Sequence, residues 1–326
     1  MNLLNNKLNI IPLNIFIDPQ YPVDKAIITH AHADHAVPGH RKVLATRQTV
    51  EIMKLRFGEG CAKEFQILEY GKKININNVF ISLLPSGHIL GSAQVLIENK
   101  NEKIVVTGDY KTVKDPTVYN FELQKCDTIV SEATFGLPIF KHPNPNEEIY
   151  KLLESLKKNK NTTHLIGAYA LGKAQRIIKL LRNNGFDQKI FIHRSLEKIC
   201  NYYQHEGIQL GKFEVITKNS EETDYKIVFC PPSALKDRWS RRFEDKIISQ
   251  ASGWMRIKQR VKQSLIELPL IISDHSDWRE LTNTIKASNA ENVWVTHGRE
   301  DALVHWSIQN GLNSKPLSFQ REEEDT

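Results

Sequence analysis

The chain has 326 residues, 40% of them hydrophobic and 25% charged, a balance that excludes a disordered polymer and leaves room for two domains or one large core with an insertion. Its four cysteines, Cys61, Cys126, Cys200 and Cys230, form no CxxC pair, which argues against a disulfide framework or a sulfur-rich zinc site and fits a reducing cytoplasm. The net charge of +6 permits a polyanionic partner without requiring one, and with no uncharged run of roughly 18 residues and no signal-like start, neither membrane insertion nor export is expected.

In chain order, KAIIT (25–29), VFISLL (79–84), KIVVTG (103–108) and DTIVS (127–131) are β-branched apolar runs of strand length. A proline-rich joint, LPIFKHPNPN (137–146), marks a change of organisation. Beyond it, segments of helical periodicity alternate with strands: EEIYKLLESLKK, LIGAY (165–169), GKAQRIIKLLRN, KIFIH (189–193), RSLEKICNYYQ and YKIVF (225–229). LPLIIS (268–273), DWRELTNTIKAS and NVWVT (292–296) complete the set, and the class is α/β. No unit of 20 to 50 residues repeats, and the acidic REEEDT reads as a frayed tail.

Five of these runs end in groups that bind metal or move protons, which core packing does not require. KAIIT leads to His30, IVVTG to Asp109, TIVS to Glu132, LIIS to Asp274 and His275, and VWVT to His297. Ligands gather at the carboxyl ends of strands in open α/β sheets, so the repetition predicts one site assembled from distant segments. The densest part, THAHADH, packs His30, His32, Asp34 and His35 into six residues, separated by the small Ala31 and Ala33. Imidazole and carboxylate suit zinc and similar ions, and the donors exceed the need of one tetrahedral site, which implies two metals. His88 in SGH and Asp109 in TGD are ambiguous when taken alone, because each also suits a structural turn.

Two further segments bear on polyanion binding. Gly167 to Lys173 spells GxxxxGK, but position 174 is Ala where a P-loop needs a magnesium-binding hydroxyl, so the turn reads as a helix start receiving a backbone phosphate, with Lys173 and Arg176 adding charge and Tyr169 a stacking candidate. Between Lys236 and Lys262 nine cations face three anions, a solvated face or an electrostatic footprint.

HAHADH, SGH (86–88), TGD (107–109) and THG (296–298) resemble the ordered metal-binding motifs of the metallo-β-lactamase superfamily, with Asp18 of FIDP as its early aspartate. SEATFG (131–136), ISDHSDW (272–278), VTHGRED (295–301) and YALGKAQRI resemble the additional motifs of its β-CASP nuclease branch. The wording of SGHILGSAQV, YALGKAQRI, PPSA and ASGWM is most similar to bacterial DNA ligase-associated exonucleases.

That resemblance implies a four-layer αβ/βα sandwich built from residues 1–140 and 251–326, the latter with an acidic C-terminal tail, and an inserted β-CASP cap at 141–250. It implies that His30, His32 and His88 hold one divalent ion, that Asp34, His35 and His297 hold another, and that Asp109 bridges them, the ions being zinc or manganese. Asp34, Glu132 and His275 become the catalytic residues of a phosphodiester-cutting enzyme; Tyr169, Lys173, Arg176, Ser252 and Gly253 become substrate-binding candidates, with the basic 236–262 stretch near the nucleic-acid path. Asp274 departs from the resembled pattern, in which a small residue precedes the histidine. The implied function is a DNA exonuclease acting in repair, with a DNA ligase and a helicase as partners. Alternatives are a ribonuclease of the same branch, a metallo-hydrolase of thioesters or lactones, and a non-catalytic nucleic-acid binding subunit.

Overall fold

Each of the nine apolar runs forms a strand in the computed structural model, which describes residues 3–217 and 225–317; the REEEDT tail lies outside the described residues. The chain divides into two units, residues 3–141 with 275–317, and residues 142–217 with 225–274. The sequence reading returns the chain to the first unit at 251, whereas the second unit runs on to Asp274. Its last two strands explain the difference, because they extend the second unit's own sheet.

The first unit begins with β1 (Asn9–Ile10), β2 (Ile15–Ile17), β3 (Lys25–Ile27), β4 (His40–Ala45), helix α1 (Arg47–Phe57) and β5 (Ala62–Ile67). These five strands form one sheet in sequence order, parallel except for the β1–β2 pair. A second sheet starts with β6 (Lys73–Ile76), β7 (Val79–Pro85), β8 (Ala93–Glu98) and β9 (Lys103–Val106), which run antiparallel to one another, and continues with β10 (Thr128–Ala133), parallel to β9.

The second unit contains α2 (Pro145–Lys158), β11 (Thr163–Gly167), α3 (Lys173–Asn183), β12 (Ile190–Ile192), α4 (Glu197–His205), β13 (Phe213–Val215), β14 (Ile227–Cys230), β15 (Lys246–Ala251), α5 (Lys258–Gln263) and β16 (Leu268–Leu270). Its strands make one all-parallel sheet in the order β13-β12-β14-β11-β15-β16. The chain then returns to the first unit as α6 (Trp278–Ser288), β17 (Asn292–Gly298), α7 (Glu300–Gln309) and β18 (Asn313–Pro316), and β17 slots beside β10.

Local chemistry sets the helix boundaries. The PNPN of the proline-rich joint is the start of α2: the Asn144 side chain caps the helix by accepting from Asn146 N at 3.0 Å, and Pro145 occupies a first-turn position that needs no donor. Asp277 caps α6 while Glu280 reaches back to the Asp277 backbone N–H, a reciprocal capping box.

Two cores organise the first unit. Ile10, Ile17 and Ile27 of the first sheet pack against Ile81, Val95 and Ile104 of the second. The other face of the second sheet, through Val105, Ile129 and Val293, packs against Leu281 and Ile285 of α6 and Leu303 of α7. Each such fully buried side chain contributes about 1.5–3 kcal/mol, enough to fix the strand ends that carry the polar residues. Among the described residues no helix is long and apolar enough to cross a membrane.

Candidate metal centre

Histidines from four segments of the first unit converge on one carboxylate. Asp109 Oδ2 lies 3.4 Å from His30 Nε2, 3.4 Å from His35 Nε2, 3.7 Å from His88 Nε2 and 3.9 Å from His275 Nδ1, while Oδ1 is 4.0 Å from His297 Nδ1. Two groups of donors meet metal-binding spacing there, His30 with His32, His88 and Asp109, and His35 with Asp109 and His297, and a third, Asp109 with Glu132 and His275, adjoins them. Asp34 sits beside these groups rather than within them: its carboxylate is half exposed and 3.5 Å from His35 Nε2.

The backbone builds this convergence through a few costly conformations. Gly87 has φ +76° and a side chain there would meet Lys111 O at 2.2 Å; Gly108 has φ +55° and would meet Thr29 at 2.9 Å. Only glycine lets the loops bearing His88 and Asp109 close this tightly. His297 is itself left-handed, at φ +57°, because β17 slips by one residue against β10 between the Thr296–Glu132 and Gly298–Ala133 pairs. The bulge turns the His297 side chain toward Asp109, where regular alternation would carry it away.

Asp18, at the end of β2, holds the cluster from behind. Its carboxylate accepts from Thr29 N at 2.8 Å and Thr29 Oγ1 at 2.6 Å, and faces His35 Nδ1 at 2.6 Å. That contact fixes the His35 proton on Nδ1 and leaves Nε2 to point at Asp109. Glu132, 1% exposed at the end of β10, is held likewise: Oε1 accepts from Tyr110 N at 2.8 Å, and Oε2 accepts from Thr134 Oγ1 at 2.5 Å and faces His275 Nδ1 at 3.0 Å.

The electrostatics are those of a buried anionic nest lined with imidazoles. Burial opposes charge on His35, but the carboxylates of Asp109, Asp34 and Asp18 hold it well above the ordinary histidine range. Burial and the neighbouring His35 drive His30 well below that range. Burial alone would raise Asp109 and Asp34; the surrounding histidines, His35 foremost, hold both below the usual carboxylate value, Asp109 strongly. His30 Nε2, His35 Nε2 and Asp109 Oδ1 are buried and make no hydrogen bond among the described residues. An unsatisfied buried group costs about 1–3 kcal/mol, and a divalent cation shared by imidazole and carboxylate donors removes all three deficits at once. The donor set therefore fits metal.

The five substrate-binding candidates lie in the second unit, at the carboxyl ends of the adjacent strands β11 and β15. Tyr169 is 41% exposed, with Lys173 Nζ 5.8 Å from its ring centre. Lys173 and Arg176 are 5% and 1% exposed and are committed to one carboxylate: Lys173 Nζ is 3.1 Å from Asp274 Oδ2, and Arg176 Nη1 is 3.4 Å from Asp274 Oδ1 and also donates to Ser273 O. Ser252 caps a short 3-10 turn at Gly253–Arg256 by accepting from Trp254 N at 3.2 Å, and Gly253 is buried within it.

Sequence reasoning missed the supports. Thr29, Thr134 and the Tyr110 N–H orient the site, and each lies within two residues of a candidate site residue, the one local signal that points to them. Lys111 and Glu280 form a buried ion pair across 169 residues of sequence; Glu280 also accepts from Thr112 N and Oγ1 and from Val113 N, tying the loop after Asp109 to the start of α6 after His275. No spacing in the sequence reveals such a partner.

No family model matches the chain. It is 24% identical, in an alignment 328 positions long that covers 93% of this chain, to a protein of Opitutus terrae named "Probable DNA ligase". It is 26% identical to "Probable RNase MJ4" of Methanocaldococcus jannaschii, with 90% of this chain and 86% of that protein covered. The chain spans less than half the length of several curated relatives it matches, 31% of the Opitutus terrae protein and 44% of an RNase J-like protein of Methanocaldococcus jannaschii. A crystal structure of a protein of unknown function from Enterococcus faecalis shares the fold, with a TM-score of 0.59 at 12% identity over 94% of this chain and 81% of that one.

Proposed function

Because this chain belongs with the β-CASP nucleases of the metallo-β-lactamase superfamily, we propose that it is a metal-dependent phosphodiesterase that cuts nucleic acid, working as an exonuclease on DNA. The observation that supports this most is the convergence of imidazoles from four segments on the buried Asp109, with Glu132 held against one of them, His275. In this reading the first unit is the four-layer αβ/βα sandwich and the second the β-CASP cap.

His30, His32 and His88 would hold one ion, and Asp34, His35 and His297 the other, with Asp109 between them; zinc suits the donors and manganese is the alternative. Ions bound there supply Lewis acidity toward phosphoryl oxygen and acidify water near neutral pH. The chain's own residues do the rest. Asp34, the half-exposed carboxylate of the cluster, accepts a hydrogen bond from the attacking water and orients it in line with phosphorus. Glu132 accepts from His275 Nδ1 and fixes that ring, leaving Nε2 as the atom that hands a proton to the departing sugar oxygen when the ring carries two.

A thioester or lactone has no comparable need for a fixed proton donor on its leaving side, which argues for a phosphodiester. RNA as the polymer is favoured by the name of the Methanocaldococcus jannaschii relative, and a DNA ligase as partner by that of the Opitutus terrae one. A helicase partner and a cytoplasmic setting rest on the motif resemblance and the cysteine usage.

Purified protein incubated with end-labelled single-stranded DNA and matched RNA, with chelator or with zinc or manganese, tests the reading against an Asp34→Ala, His35→Ala control. Metal-dependent shortening of DNA from one end, absent in the control, is expected. Metal-replete protein that cuts neither polymer sinks the proposal.

A further inference from the structure

The helix turn that reads as a phosphate grip is spent internally: Lys173 and Arg176 are buried against Asp274. The second unit carries its unpaired cations elsewhere. The segments on either side of β15, residues 232–245 and 252–266, pack on its sheet, with Leu235, Phe243, Met255 and Ile266 buried in the core and Trp239 and Val261 partly buried against it. The cations interleaved with them are turned outward, and Arg238, Arg241, Arg256, Lys258, Arg260 and Lys262 are exposed. None of the six has a carboxylate partner among the described residues.

The three anions of the segment form no ion pair with these cations among the described residues. Asp237 accepts from the Arg238 backbone N–H, and Asp245 accepts from Thr162 Oγ1 at 2.9 Å. The excess of six positive charges between 236 and 262 equals that of the whole chain, nine cations less three anions against a net of +6. Two guanidinium groups are held in advance: Arg260 lies 4.4 Å from the ring centre of the half-buried Trp254, and Arg242 lies 5.5 Å from that of Trp239. A cation pinned on an aromatic face loses less side-chain entropy when it meets a phosphate.

We infer that the outer face of residues 236–262 is the nucleic-acid binding surface of the second unit, gripping the phosphates of a single-stranded polynucleotide; the identity of the polymer rests on the nuclease reading above. Surface cations without partners bind polyanions by releasing counterions, so the signature is the salt dependence of affinity. The Glu132–His275 machinery is not involved, and binding does not require cleavage.

The test is fluorescence anisotropy of labelled oligothymidylate and oligouridylate in chelator, from about 50 to 200 mM salt. Wild type is compared with an Arg238→Ala, Arg241→Ala, Lys258→Ala, Lys262→Ala variant and with a control of equal charge change on the same unit, Lys158→Ala, Lys160→Ala, Lys198→Ala, Lys212→Ala, all exposed. Each phosphate contact adds about 0.7 to the slope of log affinity against log salt, so the first variant is expected to lose up to about 3 from the slope and to bind about 10- to 100-fold more weakly near 0.1 M, with the control close to wild type. Equal affinity of the first variant and wild type overturns the inference. So does an equal loss in the control, which would reduce the effect to total charge, and so does wild type that binds phosphatidylserine vesicles but no oligonucleotide. Wild type that binds in this way yet hydrolyses neither polymer nor bis-p-nitrophenyl phosphate with added metal sinks the nuclease reading and leaves the surface standing.

Discussion

Asp18→Asn changes one atom behind the metal centre and should empty half of it. The aspartate is 6% exposed and takes the left-handed backbone at φ +44° that asparagine also tolerates, so the fold should accept the change. The asparagine oxygen can still accept from Thr29 N, which turns its amide N–H toward His35 Nδ1, now 2.6 Å from a carboxylate oxygen. Nδ1 must then become an acceptor and the proton must move to Nε2, the atom whose lone pair points toward Asp109 and would reach the metal. Loss of such a partner typically weakens metal binding by about 10- to 100-fold, or about 1.4–2.7 kcal/mol, in line with the about 1.5–3 kcal/mol of a hydrogen bond to a charged group. Zinc stoichiometry measured in buffers of fixed free zinc should fall toward one ion per chain, the His30/His32/His88 group remaining filled. Two ions bound with unchanged affinity in Asp18→Asn would refute the tautomer argument.

Other consequences are equally direct. His275→Ala should keep both ions while losing turnover by about 100-fold or more, a general acid's usual share, as read by metal analysis beside a cleavage assay. Glu280→Gln strands the buried Lys111 and should cost about 3–5 kcal/mol in denaturant unfolding. Glu280 is pushed up by burial but held below its ordinary value overall by Lys111 and Thr112. Its contribution is therefore present above the unfolded pKa of about 4.5 and is lost as pH falls through the lower folded value; the acid limb of the stability profile should flatten in Glu280→Gln, and an unchanged limb would assign the acid loss to other groups. His297→Gly relieves a left-handed side chain, so metal-free protein should gain about 1 kcal/mol while the second ion is lost; a drop in metal-free stability would show that the bulge holds no strain.

The sequence displays most strands whose two faces are buried, as continuous apolar runs such as KIVV and VFISLL, although β8 (AQVLIE), buried almost throughout, is not among them. It hides β5, whose AKEFQI lies on a sheet edge with charges turned to water, and β15, whose KIISQA sits inside the basic stretch and masks a central strand. The second unit therefore extends further than the sequence reading gives it. The candidate metal donors are legible for a similar reason: histidines and aspartates crowded at strand ends have few structural explanations. What holds them is not legible, since Asp18 with His35 and Lys111 with Glu280 are long-range pairs. Lys173 and Arg176 mislead because a charge beside a glycine turn looks available until Asp274, almost a hundred residues later, is found against it.

Because β17 lies between β10 and β18, the inner edge of β10 stays bare until residues 292–298 have been made, after the whole second unit has emerged. A nascent first unit thus carries THAHADH and an exposed apolar strand edge for the time taken to synthesise about half the chain, at risk of pairing with a neighbour. The early histidines lack His297 throughout that interval, so the second group of donors is complete only once the sheet has closed. Sheet closure thereby sets the order of events, and metal capture at the proposed second site would follow folding.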